Sequence, residues 1–242
     1  MLFSGLPGFS RRLHAWVDAI PSQCACCHAW PSRRVCNACV ARFAQPAPRC
    51  QRCALRVPAG VAVCGACLKV KEPPSFDRCL AAVDYAYPWA DAVADFKFRG
   101  DAGWAATLAL LMRSTPWMEP ALEAADRVLP VPLSTDRLRE RGFNQAALLA
   151  RHLARAKTDA RTLLRLHATE AQSSLPRAQR LRNLRGAFAV EPHRAAALRG
   201  QRVVLIDDVM TTGATLHAAT LALREAGVAH VTAVVLARTS PD

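Results

Sequence analysis

Four aliphatic residues, Val203-Val204-Leu205-Ile206, run directly into Asp207-Asp208 and then, through Val209-Met210, into Thr211-Thr212-Gly213-Ala214-Thr215. The aliphatic run fits a strand buried on both faces, as in a parallel sheet covered by helices, and the strand is expected to end at Asp207. Gly213 permits a tight turn, after which Ala214, Leu216, Ala219, Leu221 and Leu223 continue with helical spacing up to Ala226-Gly227. Thr211 to Thr215 then sit at a helix N-terminus, where unpaired N–H groups, hydroxyls and the helix dipole converge on an anion. A phosphate monoester is the natural guest. Two adjacent carboxylates at a strand end repel one another and a phosphate, unless they face hydroxyl donors or a divalent cation. A ribose with vicinal hydroxyls and a 5′-phosphate, with magnesium nearby, meets both conditions.

The cysteines make an independent statement. Eight of the ten lie in four C-x-x-C pairs: Cys24/Cys27, Cys36/Cys39, Cys50/Cys53 and Cys64/Cys67. Such a pair presents two thiolates to one tetrahedral ion, and two pairs complete a closed structural zinc site, so four pairs imply two zinc ions. Proline is frequent here (Pro21, Pro31, Pro46, Pro48, Pro58) and large aliphatic residues are few, so metal binding is expected to supply the folding free energy. Short gaps favour neighbouring pairs, Cys24/Cys27 with Cys36/Cys39 and Cys50/Cys53 with Cys64/Cys67. A crossed arrangement, first with third and second with fourth, stays open because its gaps are nearer the usual spacing of such sites. Cys26, inside the first pair, is an alternative ligand, and Cys79 opens an apolar strand as a small buried residue. Met1 to Ile20 carries Arg11, Arg12 and Asp18 within a broken apolar pattern, which suits an amphipathic lead-in helix rather than a secretory h-region. A reducing cytoplasm follows as the expected compartment, with zinc rather than disulfides on the cysteines.

With 242 residues, 52% of them hydrophobic, the chain has room for one domain of ordinary size and a small appendage. No apolar run reaches the length of a membrane span, so no membrane insertion is expected. The formal charge of +13 is unevenly placed. Residues 24–71 hold eight Arg/Lys and no Asp/Glu, an excess that eight zinc-bound thiolates partly offset; residues 127–200 hold fifteen Arg/Lys against five Asp/Glu. Polyphosphates need cations, and a nucleic-acid surface needs a broad basic track. The local pattern favours the first. Leu129-Pro130-Val131-Pro132-Leu133 reads as a strand ending in a turn; Arg137, Arg139 and Arg141 follow at alternating positions, and Asn144 caps a helix through Leu148, Leu149 and Leu153. Guanidinium groups placed before a helix start suit a pyrophosphate, with a solvated arginine loop as the alternative. Gln172 to Asn183 reads as a long polar loop, the kind that closes as a lid, and would carry Arg180 or Arg182 toward a leaving pyrophosphate; an exposed connector is the alternative.

The thirteen residues from Val203 to Thr215 resemble the phosphoribosyl pyrophosphate (PRPP) motif of type I phosphoribosyltransferases. The resemblance implies that Asp207 and Asp208 hold the ribose hydroxyls, and that Thr211, Thr212, Gly213, Ala214 and Thr215 hold the 5′-phosphate. Further motifs narrow it. Two double-cysteine modules precede an aromatic segment with Tyr85 and Tyr87, then Phe96-Lys97-Phe98-Arg99-Gly100-Asp101, Pro130-Val131-Pro132-Leu133 and Arg139-x-Arg141-Gly-Phe-Asn-Gln, followed by the Gln172 to Asn183 loop. Together these are similar to the ComF/GntX family, over nearly the whole chain from about residue 20 to Arg238. The resemblance implies a double zinc ribbon, a phosphoribosyltransferase domain, cytoplasmic handling of incoming single-stranded DNA in natural transformation, and DNA-uptake proteins as partners. In nucleobase-salvaging relatives a hood element grips the base. No such element is expected after the last strand, Val231 to Ala237, and the stretch from Phe76 to Trp104, with Lys97 and Arg99 facing the site, is the expected replacement; the alternative makes Lys97 a helix surface residue.

The expected fold is α/β: a mostly parallel sheet with flanking helices after a small zinc module. Residues 1–20 are assigned to the lead-in helix, 21–72 to the double zinc ribbon and 76–242 to the phosphoribosyltransferase-like domain. Strands are expected near 79–87, 127–131, 161–166, 202–207 and 230–236, and helices near 89–98, 103–113, 144–157 and 214–226. Three functions remain open at this stage: transfer of phosphoribose to an unidentified acceptor with Asp207, Asp208, Arg180 and Arg182 at the reaction; PRPP sensing coupled to single-stranded DNA binding; and a structural adaptor that docks a helicase-like partner.

Overall fold

The computed structural model describes residues 22–70, 74–166 and 186–240. The chain divides into two compact units, residues 1–45 and 46–242. The lead-in helix expected over 1–20 and the lid expected over Gln172 to Asn183 lie outside the described residues.

In the first unit a turn at Cys24–Cys27 is followed by helix α1 (Asn37–Phe43), whose N-cap is Cys36. The second unit opens with the same arrangement. A turn at Cys50–Cys53 leads to helix α2 (Gly65–Lys69), with Cys64 at its N-cap. There follow strand β1 (Arg78–Asp84), helices α3 (Trp89–Phe98), α4 (Trp104–Arg113) and α5 (Met118–Glu123), and strand β2 (Arg127–Pro130). Helices α6 (Thr135–Arg141) and α7 (Gln145–Ala154), strands β3 (Leu163–Arg165) and β4 (Phe188–Val190), and the single turn α8 (Pro192–Ala195) come next. Strand β5 (Arg202–Met210), helix α9 (Ala214–Glu225) and strand β6 (His230–Arg238) complete the unit.

The main sheet has four parallel strands in the order β1-β6-β5-β2. Its two central strands are aliphatic through their middles: Val203 to Ile206 and Val231 to Ala237, Thr232 excepted, are all no more than 1% exposed. That is the signature of a strand covered on both faces. Leu205, Ala233 and Ala81 belong to one core cluster with α9 and the β3–β4 hairpin. The residues of opposite parity face the layer built from α3, α4 and α7, where Phe96, Leu108, Met112, Leu149 and Leu153 are buried.

Several expectations need correction. β5 does not stop at Asp207 but continues to Met210, because β6 extends far enough for Ala237 and Arg238 to pair with Val209 and Met210. The segment expected as a sheet strand near 161–166 forms instead an antiparallel two-stranded hairpin with Phe188–Val190; its approach to the main sheet is a single bridge between Val128 and Thr158. Arg137, Arg139 and Arg141, expected in the segment before a helix start, do not lie in a loop. They ride on α6, which Ser134 caps by accepting the Arg137 N–H at 3.4 Å and which Gly142 ends at φ 75°. The Ser134-Thr-Asp start and glycine stop are ordinary helix signals, outweighed in the linear reading by the prolines just before them.

The second cysteine module is part of the sheet's own core. Cys50, Cys53, Ala54 and Cys67 cluster with Phe76, Cys79 and Met210. Polar contacts bind it to the carboxyl ends of the strands. Arg238, at the end of β6, donates from Nε to the Cys53 carbonyl at 2.7 Å and from Nη1 to the Met210 carbonyl at 3.1 Å. Arg49, its side chain 6% exposed, donates to the Ala54 carbonyl and pairs at 2.8 Å with Asp84 at the end of β1, which Arg56 also meets. Removing the carboxylate strands a buried guanidinium, the costly way to break such a pair. Asp84→Ala is therefore expected to destabilise the protein by about 2–3 kcal/mol in chemical denaturation, more than an exposed pair at roughly 0–1 kcal/mol would.

Candidate functional site

Strand β5 positions the two aspartates. Successive strand residues face opposite sides, so Asp207 shares the side of Leu205 and Asp208 that of Ile206. Lys97 of α3 reaches Asp208 with Nζ to Oδ1 at 2.7 Å, both side chains largely buried. The Val209 N–H also donates to Asp208 Oδ1 at 2.6 Å, and the Asp208 N–H to Asp207 Oδ1 at 2.9 Å. Asp207 is less well matched. Burial and the neighbouring Asp208 charge push its carboxyl up to about 7, against the pull of Lys97, the Asp208 N–H and Arg165. Arg165, on β3, is held below the ordinary guanidinium range by burial and by the like charge of Arg137 on α6. Two guanidinium groups thus converge near one carboxylate at the sheet's carboxyl end, an arrangement that an anion would relieve.

Beyond Met210 the turn Thr211-Thr212-Gly213 leads into α9. Gly213 is the N-cap at φ 79° and offers no side-chain acceptor to the first-turn N–H groups. Its positive φ favours glycine, and a Cβ here would lie 2.5 Å from the Met210 Cε, so the flexible methionine end would have to shift. Thr212 Oγ1 accepts the Ala214 N–H at 3.4 Å, Thr211 is exposed, and Thr215 is half-buried on the first turn. A helix start whose N-cap residue offers no side-chain acceptor, bordered by three hydroxyls of which one makes a long contact to the first N–H, is competent to receive a phosphate.

The remaining expected residues divide. Arg141 stacks over the Phe98 ring at 5.3 Å and donates to Gln145 Oε1 at 3.2 Å, while Phe96 meets Phe143 with ring centroids 5.5 Å apart. The end of α3 therefore touches both the α6–α7 junction and Asp208. Arg139 faces away: it is 78% exposed and pairs with Asp136 at 3.6 Å. Arg99 is equally exposed and pairs with Asp95. Arg180 and Arg182 lie outside the described residues. Arg165 escaped the linear reading because a single arginine in a short strand carries no motif; only the hairpin brings it to Asp207.

The eight cysteines form two quartets of neighbouring pairs, Cys24/Cys27/Cys36/Cys39 and Cys50/Cys53/Cys64/Cys67, the Sγ atoms within each lying no more than 4.8 Å apart. Individual separations are 3.9 Å for Cys24–Cys39, 3.6 Å for Cys27–Cys36 and 3.6 Å for Cys53–Cys64. A tetrahedral zinc with Zn–S near 2.3 Å sets its sulfurs about 3.8 Å apart, so the donor set fits. Matching N–H···S contacts hold both: Cys36 N to Cys24 Sγ and Cys64 N to Cys50 Sγ, each 3.3 Å. These donors pull the Cys24 thiol down to about 6 and that of Cys50 to about 7 despite burial. Cys26 belongs to neither quartet and its thiol is raised to about 11, chiefly by burial; Cys79 is 1% exposed and lies 3.5 Å from the Met210 sulfur.

A family model for the phosphoribosyl transferase domain matches residues 138–241. The DNA utilization protein YhgH of Salmonella typhimurium is 34% identical over 211 residues, covering 85% of this chain and 90% of its own. Competence protein F of Haemophilus influenzae is 32% identical over 198 residues, covering 79% and 85%. Competence protein ComFC of Bacillus subtilis is 37% identical over 139 residues, covering 57% and 55%. No helix among the described residues is long and apolar enough to cross a membrane.

The Asp207 carboxyl generates a stability prediction. Its folded pKa, about 7, lies above the ordinary value of 3.8, so the folded chain holds the proton more tightly and this group's contribution falls as pH rises from about 4 through 7. Asp207→Asn is expected to flatten the loss of thermal stability of the ligand-free protein between pH 5 and 8, and to raise stability at pH 8 by about 1 kcal/mol or more. Parallel melting curves across that range check both.

Proposed function

Since the chain belongs to the family of DNA utilization protein YhgH and competence proteins F and ComFC, we propose that it binds PRPP, or another phosphorylated ribose, at the carboxyl ends of its strands, in the service of DNA uptake and use. One observation carries the reading: the paired aspartates at the end of a central strand lead directly into a glycine-capped helix start. Asp207 and Asp208 would accept the ribose hydroxyls as donors, relieving the repulsion that raises Asp207. Thr211, Thr212, Thr215 and the backbone of Gly213 and Ala214 would hold the 5′-phosphate. Arg137, Arg165 and Arg141 would supply positive charge on the side where a diphosphate would lie, and Lys97 pairs with Asp208 and orients it. Magnesium, the usual companion of a diphosphate, fits a site with two carboxylates and would offset charge on the leaving group. Arg139 is not part of this reading, because it points to solvent against Asp136.

If the site turns over, the reaction is displacement of pyrophosphate from ribose C1 through an oxocarbenium-like state. The chain's own groups would hold the ribose and neutralise the departing diphosphate. A PRPP-responsive adaptor that does not turn over uses the same contacts. In this assignment residues 21–72 form a pair of zinc ribbons and 76–242 the phosphoribosyltransferase-like domain, working in the cytoplasm beside single-stranded DNA and DNA-uptake proteins. The relatives' names and the surplus basic charge support that setting.

Calorimetric titration of the zinc-loaded protein with PRPP and magnesium is expected to show saturable binding, lost in Asp207→Asn/Asp208→Asn and weakened about tenfold or more in Arg165→Ala, the cost of one charge-assisted contact. Binding unchanged in the double variant sinks the site, and pyrophosphate release measured in the same samples separates transferase from sensor. For zinc, two equivalents per chain are expected. Cys36→Ser and Cys64→Ser should each lose one, but only the second should lower the melting temperature of the sheet domain, since Cys50, Cys53 and Cys67 pack in its core. Equal melting of the two variants contradicts that asymmetry.

A further inference from the structure

The opposite end of the sheet carries a second concave site. A cavity of about 380 Å³ opens beneath α5, at the amino ends of β1, β5 and β6. Cross-strand register builds one wall: Arg78, Thr232 and Val204 stand in one row, and Arg202 and His230 in the next, all on one face of the sheet. Trp117, the N-cap of α5, supplies another wall, with Ala121 of α5 and Ala124 and Ala125 after it.

Three features of the lining point to a ligand class. It contains two arginines and a histidine and no acidic side chain. Among the described residues neither the Arg78 nor the Arg202 guanidinium has an ion-pair partner. The nearby Asp77 is engaged by the Val231 N–H at 2.7 Å and by Arg224, and lies 3.5 Å from His230 Nδ1. Burial lowers the His230 pKa, and the charges of Arg202, Arg224 and Arg78 reinforce this against Asp77. Lastly, Trp117 lines the cavity with its indole, while its Nε1–H is shielded and does not face the open space. A cationic rim beside an aromatic wall is the complement of a molecule with an anionic head and a flat apolar body.

We propose that this cavity is a second ligand site, distinct from the aspartate end, which takes a small aromatic phosphate or carboxylate: the anion between Arg78 and Arg202, and the flat body against Trp117. Its volume is at the small end of the range for such pockets, about 300–1,000 Å³, which suits a molecule of nucleoside-monophosphate size. Asp208 lies six positions along β5 from Arg202, roughly 20 Å of strand. A ligand here cannot touch the ribose site. It can report on it only through the shared strand.

The test uses the full zinc-loaded chain labelled with 5-fluorotryptophan, in which Trp117→Phe identifies one of five resonances. AMP serves as the phosphate probe and benzoate as the carboxylate probe, with adenosine and inorganic phosphate as half-ligands. The Trp117 resonance is expected to shift saturably with AMP or benzoate, at about 0.01–1 mM, and which probe acts identifies the anion. Arg78→Ala/Arg202→Ala should weaken this at least tenfold, while Asp207→Asn/Asp208→Asn leaves it unchanged. Both arginines are exposed, and an unaltered melting curve confirms that the variant folds. Absence of a saturable shift with either probe overturns the proposal. So does a shift that survives the arginine variant, or one that disappears in the aspartate variant, which would return the binding to the ribose end.

Discussion

Two carboxylates on consecutive residues of a buried strand are the constraint around which the second unit is arranged. Each charge would prefer water, and each raises the cost of the other. The fold answers with cations from elements far away in sequence: Lys97 from α3 on one side of the sheet, Arg165 from the β3–β4 hairpin on the other. The compensation is incomplete. Asp207 stays near neutrality and Arg165 is itself depressed by Arg137. Opposed, unbalanced charges of this kind are a poor way to hold a chain together and a good way to bind a ligand whose hydroxyls and phosphates carry the complementary pattern.

What was legible in the sequence follows from range. The β5 strand, the glycine turn and α9 are encoded within one stretch, because burial, backbone freedom and helix periodicity act between near neighbours. The cysteine pairing was legible for the same reason, once short gaps were preferred over customary spacing. The hairpin was not. Leu163–Arg165 looks like any sheet strand, and only the antiparallel partner Phe188–Val190 takes it out of the main sheet. Arg165 entered the site with it. Helix α6 was concealed by Pro130 and Pro132, which bias the reading toward extended chain, although Ser134 and Gly142 mark its two ends. The three arginines consequently part company: Arg139 goes to solvent while Arg137 and Arg141 stay near the site.

The two cysteine modules show how one local design serves two structural purposes. Both place a residue of positive φ after the second cysteine, His28 in one and Ala54 in the other, and both return a backbone N–H to the cysteine that opens the turn. Local geometry is nearly repeated, but surroundings are not. Ala54 is fully buried and sits with Cys50, Cys53 and Cys67 in the sheet's core, whereas His28 is exposed. The same cysteine set is therefore a local closure in the first unit and a building block of the sheet's core in the second.

Met210 shows why that second placement matters for the site. It is the last residue of β5 and immediately precedes the Thr211-Thr212-Gly213 turn. Its side chain closes on Gly213, its sulfur meets Cys79 of β1, and its carbonyl accepts from Arg238, which also holds the Cys53 carbonyl. The turn thus rests against a wall of sulfur and backbone contributed by β1, β6 and the cysteine module together. A loop that must meet a phosphate with several N–H groups at once needs its backbone held in advance, since ordering it at the moment of binding would subtract from affinity. Disturbing the Cys50/Cys53/Cys64/Cys67 quartet would loosen the wall before it touched the aspartates. Its structural role and the geometry of the turn are consequences of the same packing.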